Sequence, residues 1–481
     1  MRKLTLSIFA LCLVLVSCDL AGLNQNEKAP TDVPADPLFT NAQLTLGNYI
    51  HNSTVNVNIF KMVAQHWTAT DYPQEAQYQL DNRTIPSTIW SLLYRNALND
   101  LKEAEAKIAE NEVLAPAVKQ NKLATIEVLN VYTYTLLVNL FGNIPYTEAL
   151  NFENTQPAYD DAETIYMDLM SRLDTAIGMF DTGAAGFGSA DIYYSDPATQ
   201  VASWVKFANS LKMRMAITIA DVNPTAAKTA IVEAAPNAIS SNAENAMIPF
   251  QASPPHANPV WEQLVQSGRD DFIPAAPLTE IMNNLNDPRR PVFMDTTGSG
   301  AYLGGPYGVQ NTYADFSHFS ALMEKPDRPG MLLGYSEVEF ILAEAAARGF
   351  IPGGMAVAAT HYENAIRADM AFWGVPEAEV DAYMAQTNVA YLTAPGTWRE
   401  KIGTQKWLGL FLQGFQAWTE FRRLDTPNLD QNVPEEAVID VVPLRYTYPI
   451  DEQNFNEANY QKAASAIGGD KLTTPLFWDV N

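Results

Sequence analysis

Three tyrosines in a glycine-rich stretch are the side chains best suited to binding chemistry. Tyr302, Tyr307 and Tyr313 stand in a segment that also carries Asn311 and Asp315. Sugars offer flat C–H faces that stack on aromatic rings, and their hydroxyl groups need amide and carboxylate partners close by. We therefore interpret this segment as a candidate ligand-binding loop. The alternative is that a chain with 11% aromatic residues places some of them in such loops in any case.

Three further aromatic residues could belong to the same site. Trp67 and Tyr72 follow a predicted helix and lie close to Asp71 in the sequence, and Trp373 follows another predicted helix. Loop residues on a rigid scaffold often carry binding function. We include all three as candidate ligand contacts, although a role in the hydrophobic core explains Trp67 and Trp373 equally well.

The chain lacks the motifs of common enzymes and metal sites. Its 5 histidines are scattered without a His-x-x-x-His pair. There is no Gly-x-Ser-x-Gly nucleophile and no phosphate-binding Gly-x-x-x-x-Gly-Lys. Asp270 and Asp271 could serve as paired acids, but so could other pairs among the 55 carboxylates. The sequence therefore predicts a binding protein with no catalytic residue, no metal site and no cofactor.

The N-terminus has the pattern of a bacterial lipoprotein. Arg2 and Lys3 precede the apolar run 4–16, which is shorter than the roughly 20 residues that span a bilayer but suits a secretion signal. The run ends in Leu-Val-Ser-Cys, which looks like a lipobox. We therefore predict that residues 1–17 are a signal peptide and that Cys18 carries lipid. The alternative is an ordinary signal peptide with a coincidental cysteine.

The formal charge of −25 arises from 30 basic and 55 acidic residues. The basic residues form no long run. Nucleic-acid phosphates demand a basic footprint, so the composition argues against a nucleic-acid partner. It also argues against electrostatic binding to anionic lipid, so any membrane contact is expected through the lipid anchor.

Periodicity of apolar residues divides the remaining chain into regions. Residues 18–38 contain prolines among polar neighbours and are interpreted as a flexible tether, followed by one domain over 39–481. Helical periodicity runs from about 39 to 235, is largely absent from 236–330, and then returns. Ala and aromatic residues at tetratricopeptide spacing predict a mostly α fold of helical hairpins with a loop-rich half.

The stretch 405–427 is the strongest apolar pattern in the chain. Gly409 and Gly414 each cost a helix interior about 1 kcal/mol relative to alanine, so both are expected where a neighbouring backbone comes close. The large aromatics fall three or four residues apart, which predicts one buried helical stripe. These aromatics are Trp407, Phe411, Phe415, Trp418 and Phe421.

This stretch resembles the SusD and RagB family of outer-membrane lipoproteins. Further resemblances follow in an order that spans nearly the whole mature chain. They are FGNIPYTEAL (141–150), SWVKFANSLKMRMA (203–216), DPRRPVF (287–293), SEVEFILAEA (336–345), PLRYTYPIDEQNFNEANY (443–460) and TPLFWD (474–479). In one respect the chain departs from surface-displayed members, because Asp19 is the only acidic residue between Cys18 and Glu27.

The resemblance implies a function as well as a fold. It implies a scaffold of tetratricopeptide-like hairpins, a lipid anchor in the outer membrane, display at the cell surface, and a TonB-dependent, SusC-like transporter as partner. The implied ligand is an oligosaccharide, or in some members a peptide. Peptide capture by the same type of complex, a helical-repeat scaffold without a small ligand, and a hydrolase remain alternatives.

Overall fold

Helices dominate the structure, a computed structural model that describes residues 32–80 and 84–481. The content of 53% helix and 5% strand confirms the predicted mostly α class. A π-helical segment, Leu92–Leu98, joins α3 to α4. The helices of the first half are α1 (Ala35–His51), α2 (Phe60–Val63), α3 (Ile85–Ser91), α4 (Asn99–Glu110), α5 (Pro116–Phe141), α6 (Ala162–Met179), α7 (Gln200–Thr218) and α8 (Pro224–Ala234).

The second half begins with short elements and returns to longer helices. Between residues 236 and 330 the helices and strands are short and are separated by irregular segments. The helices of this half are α9 (Pro259–Trp261), α10 (Ala276–Asn284), α11 (Arg290–Phe293), α12 (Tyr335–Ala347), α13 (Gly354–Phe372), α14 (Glu377–Met384), α15 (Trp398–Gly409), α16 (Gly414–Leu424), α17 (Ile450–Phe455) and α18 (Glu457–Ala466).

Successive long helices pack against each other in pairs. Helix α5 packs on α6, α7 on α8, α12 on α13, and α15 on α16. On α13, the small and aromatic residues Ala358, Tyr362 and Ala365 are all buried against the neighbouring helices. This is the tetratricopeptide-like arrangement that the residue spacing predicts.

Helix α5 lies at the centre of the first half, and local residue types set its ends. Pro116 occupies the first turn, where a missing N–H leaves no helical hydrogen bond unmade, and Gly142 follows the helix with a φ of 80°. The helix is long and apolar enough to cross a membrane, but most of it is buried inside the protein. Its burial identifies it as a core helix.

The strands form antiparallel pairs. In the pair that bears on the site, Trp67 lies opposite Pro274 and Ala69 lies opposite Phe272. The pairs are β1 (Trp67–Ala69) with β5 (Phe272–Pro274), β2 (Ile144–Pro145) with β3 (Tyr159–Asp160), and β4 (Ala246–Ile248) with β6 (Gly330–Leu333). We call the β1–β5 pair the ribbon.

The aromatic stripe of 405–427 is fully buried, but it is carried by two helices rather than one. Helix α15 begins with a capping box between Thr397 and Glu400 and ends at Gly409. Helix α16 starts at Gly414, and Leu412 between them adopts a φ of 69°. This left-handed backbone cannot continue an α-helix. Periodicity therefore predicted which side chains are buried and missed the break.

Buried ion pairs tie α12, α15 and α16 together. The Arg423 guanidinium lies 2.5 Å from Glu344 and 2.6 Å from Glu420, and the Lys406 ammonium lies 2.8 Å from Glu420. Burial alone would raise the pKa of Glu420, but Arg423 and Lys406 outweigh it and lower the pKa to about 2. The charges are fully enclosed, so each depends on its partner.

The structure corrects the predicted end of the tether. Helix α1 begins at Ala35, and Phe39 and Ala42 are already part of the core. The chain is therefore anchored to the fold a few residues earlier than its proline content suggested. The predicted signal peptide, residues 1–17, and the predicted lipidation site, Cys18, lie outside the described residues.

Candidate tyrosine-rich binding site

The ribbon positions the candidate site. Its end is extended by Thr70, whose backbone N–H donates to the Asp271 carbonyl at 2.9 Å and whose hydroxyl donates to the Asp270 carbonyl at 2.5 Å. These bonds fix both chains as they leave the paired region. Residues 71–72 and 269–271 therefore emerge side by side at one end of a buried scaffold.

The tyrosine loop, residues 302–316, runs along the ribbon. The Gly305 N–H donates to the Pro274 carbonyl at 2.9 Å, and the Asn311 N–H donates to the Thr70 carbonyl at 2.9 Å. A side chain at Gly304 would place its Cβ 2.5 Å from the carbonyl carbon of Ala275. The glycine is needed because the loop lies directly against the scaffold, which holds the loop in place.

The exposed end of this arrangement forms a polar surface with two accessible tyrosines, which we call the tyrosine rim (Tyr72, Tyr313, Asp71, Arg269 and Gln310). Tyr72 is 55% exposed, and the Arg269 guanidinium lies 5.7 Å from its ring centroid. Gln310 donates to Asp71 at 2.9 Å. Polar groups thus surround an aromatic face, as a sugar-binding surface requires.

Tyr313 is held by His318. Their ring centroids lie 3.8 Å apart with the planes 13° from parallel, and His318 Nε2 lies 3.0 Å from the Tyr313 carbonyl oxygen. The tyrosine is half-buried, so one face is supported while part of the ring remains accessible. A ring held in this way loses little conformational entropy when a ligand stacks on it.

Acidic side chains dominate the electrostatics near Tyr313. Burial raises the pKa of the Tyr313 hydroxyl, and the carboxylates of Asp270, Glu324 and Asp295 raise it further. Arg269 is neutralised by Asp271, at 2.7 Å. A surface with this excess of negative charge favours neutral or cationic ligands over anionic ones.

Two of the proposed ligand contacts in the loop are structural residues instead. Tyr307 is only 5% exposed and packs against Tyr78 with the ring centroids 6.4 Å apart. Asn311 is 8% exposed, and its side-chain amide donates to the carbonyls of Ala69, Pro306 and Val309. Neither side chain can contact a ligand on this surface.

The two tryptophans are also corrected. Trp67 is 1% exposed and packs 4.4 Å from the ring of Phe319. Trp373 is 9% exposed and packs 5.1 Å from Phe293, with its indole N–H donating to Asp369. Both belong to the hydrophobic core, which was the alternative explanation that their sequence positions allowed.

Tyr302 and Asp315 occupy intermediate positions. The Tyr302 ring is half-buried under the Arg290 guanidinium, which lies 5.3 Å from the ring centroid. Asp315 is exposed at the end of a short 3-10 turn, Tyr313–Asp315. Of the proposed set, Tyr72, Tyr313 and Asp315 are therefore accessible, and Tyr302 is accessible in part.

Comparison with known protein families agrees with this architecture. The model of a SusD-like family, described as starch-binding and associating with the outer membrane, matches residues 26–449. The chain belongs to the SusD-like family. No curated protein sequence matches the chain.

Several solved structures have the same fold. A chitin-binding protein superposes with a TM-score of 0.80 at 24% identity, covering 93% of this chain and 100% of its own. A chitin-binding SusD homologue from Flavobacterium johnsoniae gives 0.76 at 25% identity, covering 92% and 98%. A SusD-like protein from Bacteroides thetaiotaomicron gives 0.78 at 24% identity, covering 93% and 99%.

Sequence reasoning missed two residues that shape the rim of this SusD-like chain. Arg269 supports Tyr72 and His318 supports Tyr313, yet neither belongs to a recognisable motif. The nearest sequence signal is the run of charged residues at 269–271, just before β5. Among residues 32–80 and 84–481, no three His, Cys, Asp or Glu side chains are grouped to hold a metal ion.

Proposed function

We propose that the protein is a lipid-anchored glycan-binding subunit at the outer-membrane surface, which captures oligosaccharides at the tyrosine rim for a TonB-dependent transporter. The observation that carries the proposal is the pair of accessible rings, Tyr72 and Tyr313, at the end of a rigid ribbon. Each ring has its own cationic or aromatic support, from Arg269 and His318 respectively. Exposed aromatics fixed in this way are platforms for the apolar faces of sugars.

The charge of the rim narrows the ligand class. Asp270, Asp295 and Glu324 surround Tyr313, so an anionic glycan would be repelled. The family description names starch, and two of the structural relatives are named as chitin-binding. Both polysaccharides are uncharged. A neutral oligosaccharide is therefore the ligand that we propose, while a cationic peptide is the alternative that the same charge permits.

A direct binding experiment tests the site. Chitin and starch oligosaccharides, with a lysine-rich peptide as the alternative ligand, should be titrated calorimetrically into the wild type and a Tyr72→Ala/Tyr313→Ala double variant. For an open rim we expect the wild type to bind with micromolar-to-millimolar affinity, about −8 to −4 kcal/mol. The double variant should lose this binding. Phe455→Ala is the matched control, because Phe455 is 72% exposed and lies on α17.

The outcomes of this titration separate the hypotheses. Binding of an oligosaccharide that survives in the double variant would place the glycan site elsewhere on the surface. Binding of the peptide alone would replace the glycan by a peptide ligand. Binding of neither ligand would favour a helical-repeat scaffold without a small ligand.

We propose that the protein binds glycans without cleaving them. Two carboxylates in or beside the rim are engaged in other contacts, since Asp271 is paired with Arg269 and Asp71 accepts from Gln310. Chitin and starch oligosaccharides incubated with the protein should keep their length by chromatography. Product formation that disappears in an Asp270→Asn variant would overturn this part of the proposal.

The anchor and the transporter partner are open to a separate test. Cys18→Ala should release the protein from the membrane fraction without changing its unfolding midpoint.

Mild detergent extraction of the wild type should recover a large β-barrel protein with it. Exposed apolar side chains are candidate contacts, and Phe152 is 80% exposed while Phe455 is 72% exposed. A Phe152→Ser/Phe455→Ser variant should recover less partner than Val113→Ser, a control at a site 95% exposed.

A further inference from the structure

A small cavity lies in the helical half, away from the tyrosine rim. Its volume is about 40 Å³, and it is enclosed by α1, β6, α12, α13 and the break between α15 and α16. Phe340, Trp373 and Leu410 supply apolar walls, while Arg328 and Gln413 supply polar groups. One water needs about 10–15 Å³ of such volume, so the cavity holds a group of only a few non-hydrogen atoms.

Arg328 is a cation without a counter-ion. The described residues provide no carboxylate within ion-pair distance of its guanidinium, and its Nε atom is fully enclosed without a hydrogen-bond partner. Burial lowers the pKa of Arg328 to about 10. The Arg328 side chain as a whole is half-buried. A charge that loses part of its hydration is normally compensated by a partner.

The other charged groups that line the cavity already have partners. Glu337 lies 2.5 Å from Arg214, and Asp369 lies 2.6 Å from Arg289. Lys406 is paired with Glu420. Glu337 is thus compensated by Arg214, whereas Asp369 shares Arg289 with Asp287. Neither carboxylate lies within ion-pair distance of Arg328.

Two basic side chains near Arg328 respond to its charge. Burial and the charge of Arg328 together lower the pKa of Lys61 to about 7. Burial also lowers the pKa of His51, with Lys61 and Arg328 contributing. His51 itself lines the cavity. An anion placed there would reduce the repulsion between Arg328 and the protonated form of Lys61.

The backbone that carries Arg328 is fixed in advance of any ligand. The Asn258 side-chain amide donates to the Arg328 carbonyl at 2.5 Å, and the Asn258 N–H donates to the Pro326 carbonyl at 2.7 Å. Asn258 is completely buried. Pro326 and Pro329 restrict the backbone on both sides of Arg328, so the guanidinium is presented to the cavity at little entropic cost.

We propose that this cavity binds the carboxylate group of a small ligand, with Arg328 as the residue that recognises the charge. A guanidinium matches a carboxylate through two parallel N–H···O bonds. The apolar walls suit a short carbon chain or the edge of a sugar ring attached to that carboxylate. The bulk of a phosphate ester with its several oxygens fits neither the volume nor the apolar walls.

Two sources of carboxylate can be distinguished experimentally, namely a small aliphatic acid and an acidic sugar. Propionate and glucuronate should be titrated into the purified protein, with chloride and glucose as controls at equal ionic strength. We expect propionate, glucuronate or both to bind and to raise the unfolding temperature, while the controls do not. Which of the two binds identifies the source. Failure of both, or an equal effect of chloride, would overturn the proposal.

Variants locate the site. Arg328→Gln should weaken carboxylate binding about tenfold or more, and Arg328→Lys should retain part of it, because lysine keeps the charge without the fork geometry. Gly409→Ala tests the cavity without changing a charge. Its Cβ would lie 3.4 Å from Phe340 and 3.5 Å from Asp369, so the protein should fold while carboxylate affinity falls severalfold. Unchanged affinity in Arg328→Gln or in Gly409→Ala would overturn the assignment.

The cavity and the tyrosine rim should act independently. Arg328→Gln should leave the binding of chitin and starch oligosaccharides unchanged, and the Tyr72→Ala/Tyr313→Ala variant should still bind carboxylate. Absence of glycan binding in the wild type would thus refute the proposed function but would not contradict the proposed carboxylate binding in the cavity. Loss of both ligands in one of these variants would show instead that the sites are one.

Discussion

The aromatic stretch 405–424 and the tyrosine loop 302–316 use similar residues and reach opposite results. In the first, every large aromatic side chain is buried, from Trp407 to Phe421. In the second, Tyr307 is 5% exposed while Tyr302 and Tyr313 are half-buried. Helical spacing decides which face of an element points inward. In an irregular loop, the direction of each side chain depends on partners far away in the sequence.

The same two regions differ in how they treat charge. The helical stretch encloses charges that have partners, such as Arg423 with Glu344 at 2.5 Å, and Arg422, which donates to the carbonyls of Asn139 and Leu444. Beside the rim, the carboxylates of Asp270 and Asp295 lie close enough to Tyr313 to raise the pKa of its hydroxyl. Charge in the helical stretch connects helices of the fold, whereas in the proposed function the charge beside the rim selects the ligand. The following changes should separate the two regions, beginning with the largest effect.

Removal of one buried charge should be the most damaging change. The Glu344 carboxylate accepts hydrogen bonds from both Arg423 and Arg348. In Glu344→Gln, an uncharged amide replaces this carboxylate and leaves both guanidinium groups without its negative charge. Breaking a buried ion pair costs about 3–5 kcal/mol. Asp315→Asn makes the same chemical change on the exposed loop and should alter stability by less than about 0.5 kcal/mol. Urea unfolding measures the free energy of unfolding of both variants. Equal losses of stability would contradict the contrast between the helical stretch and the tyrosine loop.

The fold could be predicted largely from periodicity, because the buried face of a helix is determined by apolar residues three or four positions apart in the sequence. No knowledge of remote contacts was needed to predict the apolar faces of α5, α6 and α7 or the tetratricopeptide spacing on α13. The break at Leu412 was missed because its left-handed backbone is accompanied by no proline and no change of periodicity in the sequence.

The candidate site could be predicted only in part. The structure shows an irregular segment where the sequence predicted a loop, and its role in ligand binding stays a prediction. Its buried members could not be separated from its exposed ones, because Tyr307 is enclosed by Tyr78 and Asn311 is bonded to Ala69, which come from far earlier in the chain. Arg269 and His318 matter only through their position in space.

Two glycines in the aromatic stretch test close packing directly. A Cβ at Gly414 would lie 2.5 Å from the backbone of Phe60 and Lys61, whereas at Gly409 it would meet side chains at 3.4 Å or more. The expected close approach is therefore confirmed for Gly414 and wrong for Gly409. Gly414→Ala should cost about 3 kcal/mol through forced backbone shifts. Gly409→Ala should be neutral or stabilise by up to about 1 kcal/mol through helix propensity.

Chemical denaturation of these two variants gives the comparison. Nearly equal unfolding midpoints would mean that α16 can move away from α2 without loss, and that the packing at Gly414 is loose. Circular dichroism should show the same helix content for both, since the two substitutions favour helix locally.

A buried histidine gives the helical stretch its own pH dependence. His66 is fully buried with Nε2 3.1 Å from the Trp407 carbonyl oxygen, and burial lowers its pKa to about 3 despite that hydrogen bond. Below about pH 6.5 the unfolded chain binds a proton that the folded protein does not. Stability from this residue is therefore complete above pH 6.5 and falls as the pH drops towards 3.

His66→Gln isolates this contribution. The glutamine amide can still donate to the Trp407 carbonyl but cannot titrate. Between pH 7 and pH 4.5 the wild type should lose about 2–3 kcal/mol more than the variant, as measured by urea unfolding at each pH. Parallel pH profiles for the two proteins would mean that His66 is protonated in the folded state or solvated in it.

The smallest expected effect belongs to the rim, and it decides whether Tyr72 is a positioned ligand contact or an ordinary surface residue. Arg269 lies 5.7 Å from the Tyr72 ring centroid and is held by Asp271 at 2.7 Å. Arg269→Gln should leave the unfolding midpoint unchanged, since the group is exposed. Oligosaccharide affinity should fall about two- to fivefold, the size of an exposed cation–π contact. Arg367→Gln, an exposed arginine paired with Glu363 on α13, is the matched control and should change neither quantity. If Arg269→Gln lowers stability and leaves affinity intact, the rim arginine supports the fold rather than the ligand, and the contrast between the two regions fails at its most exposed point.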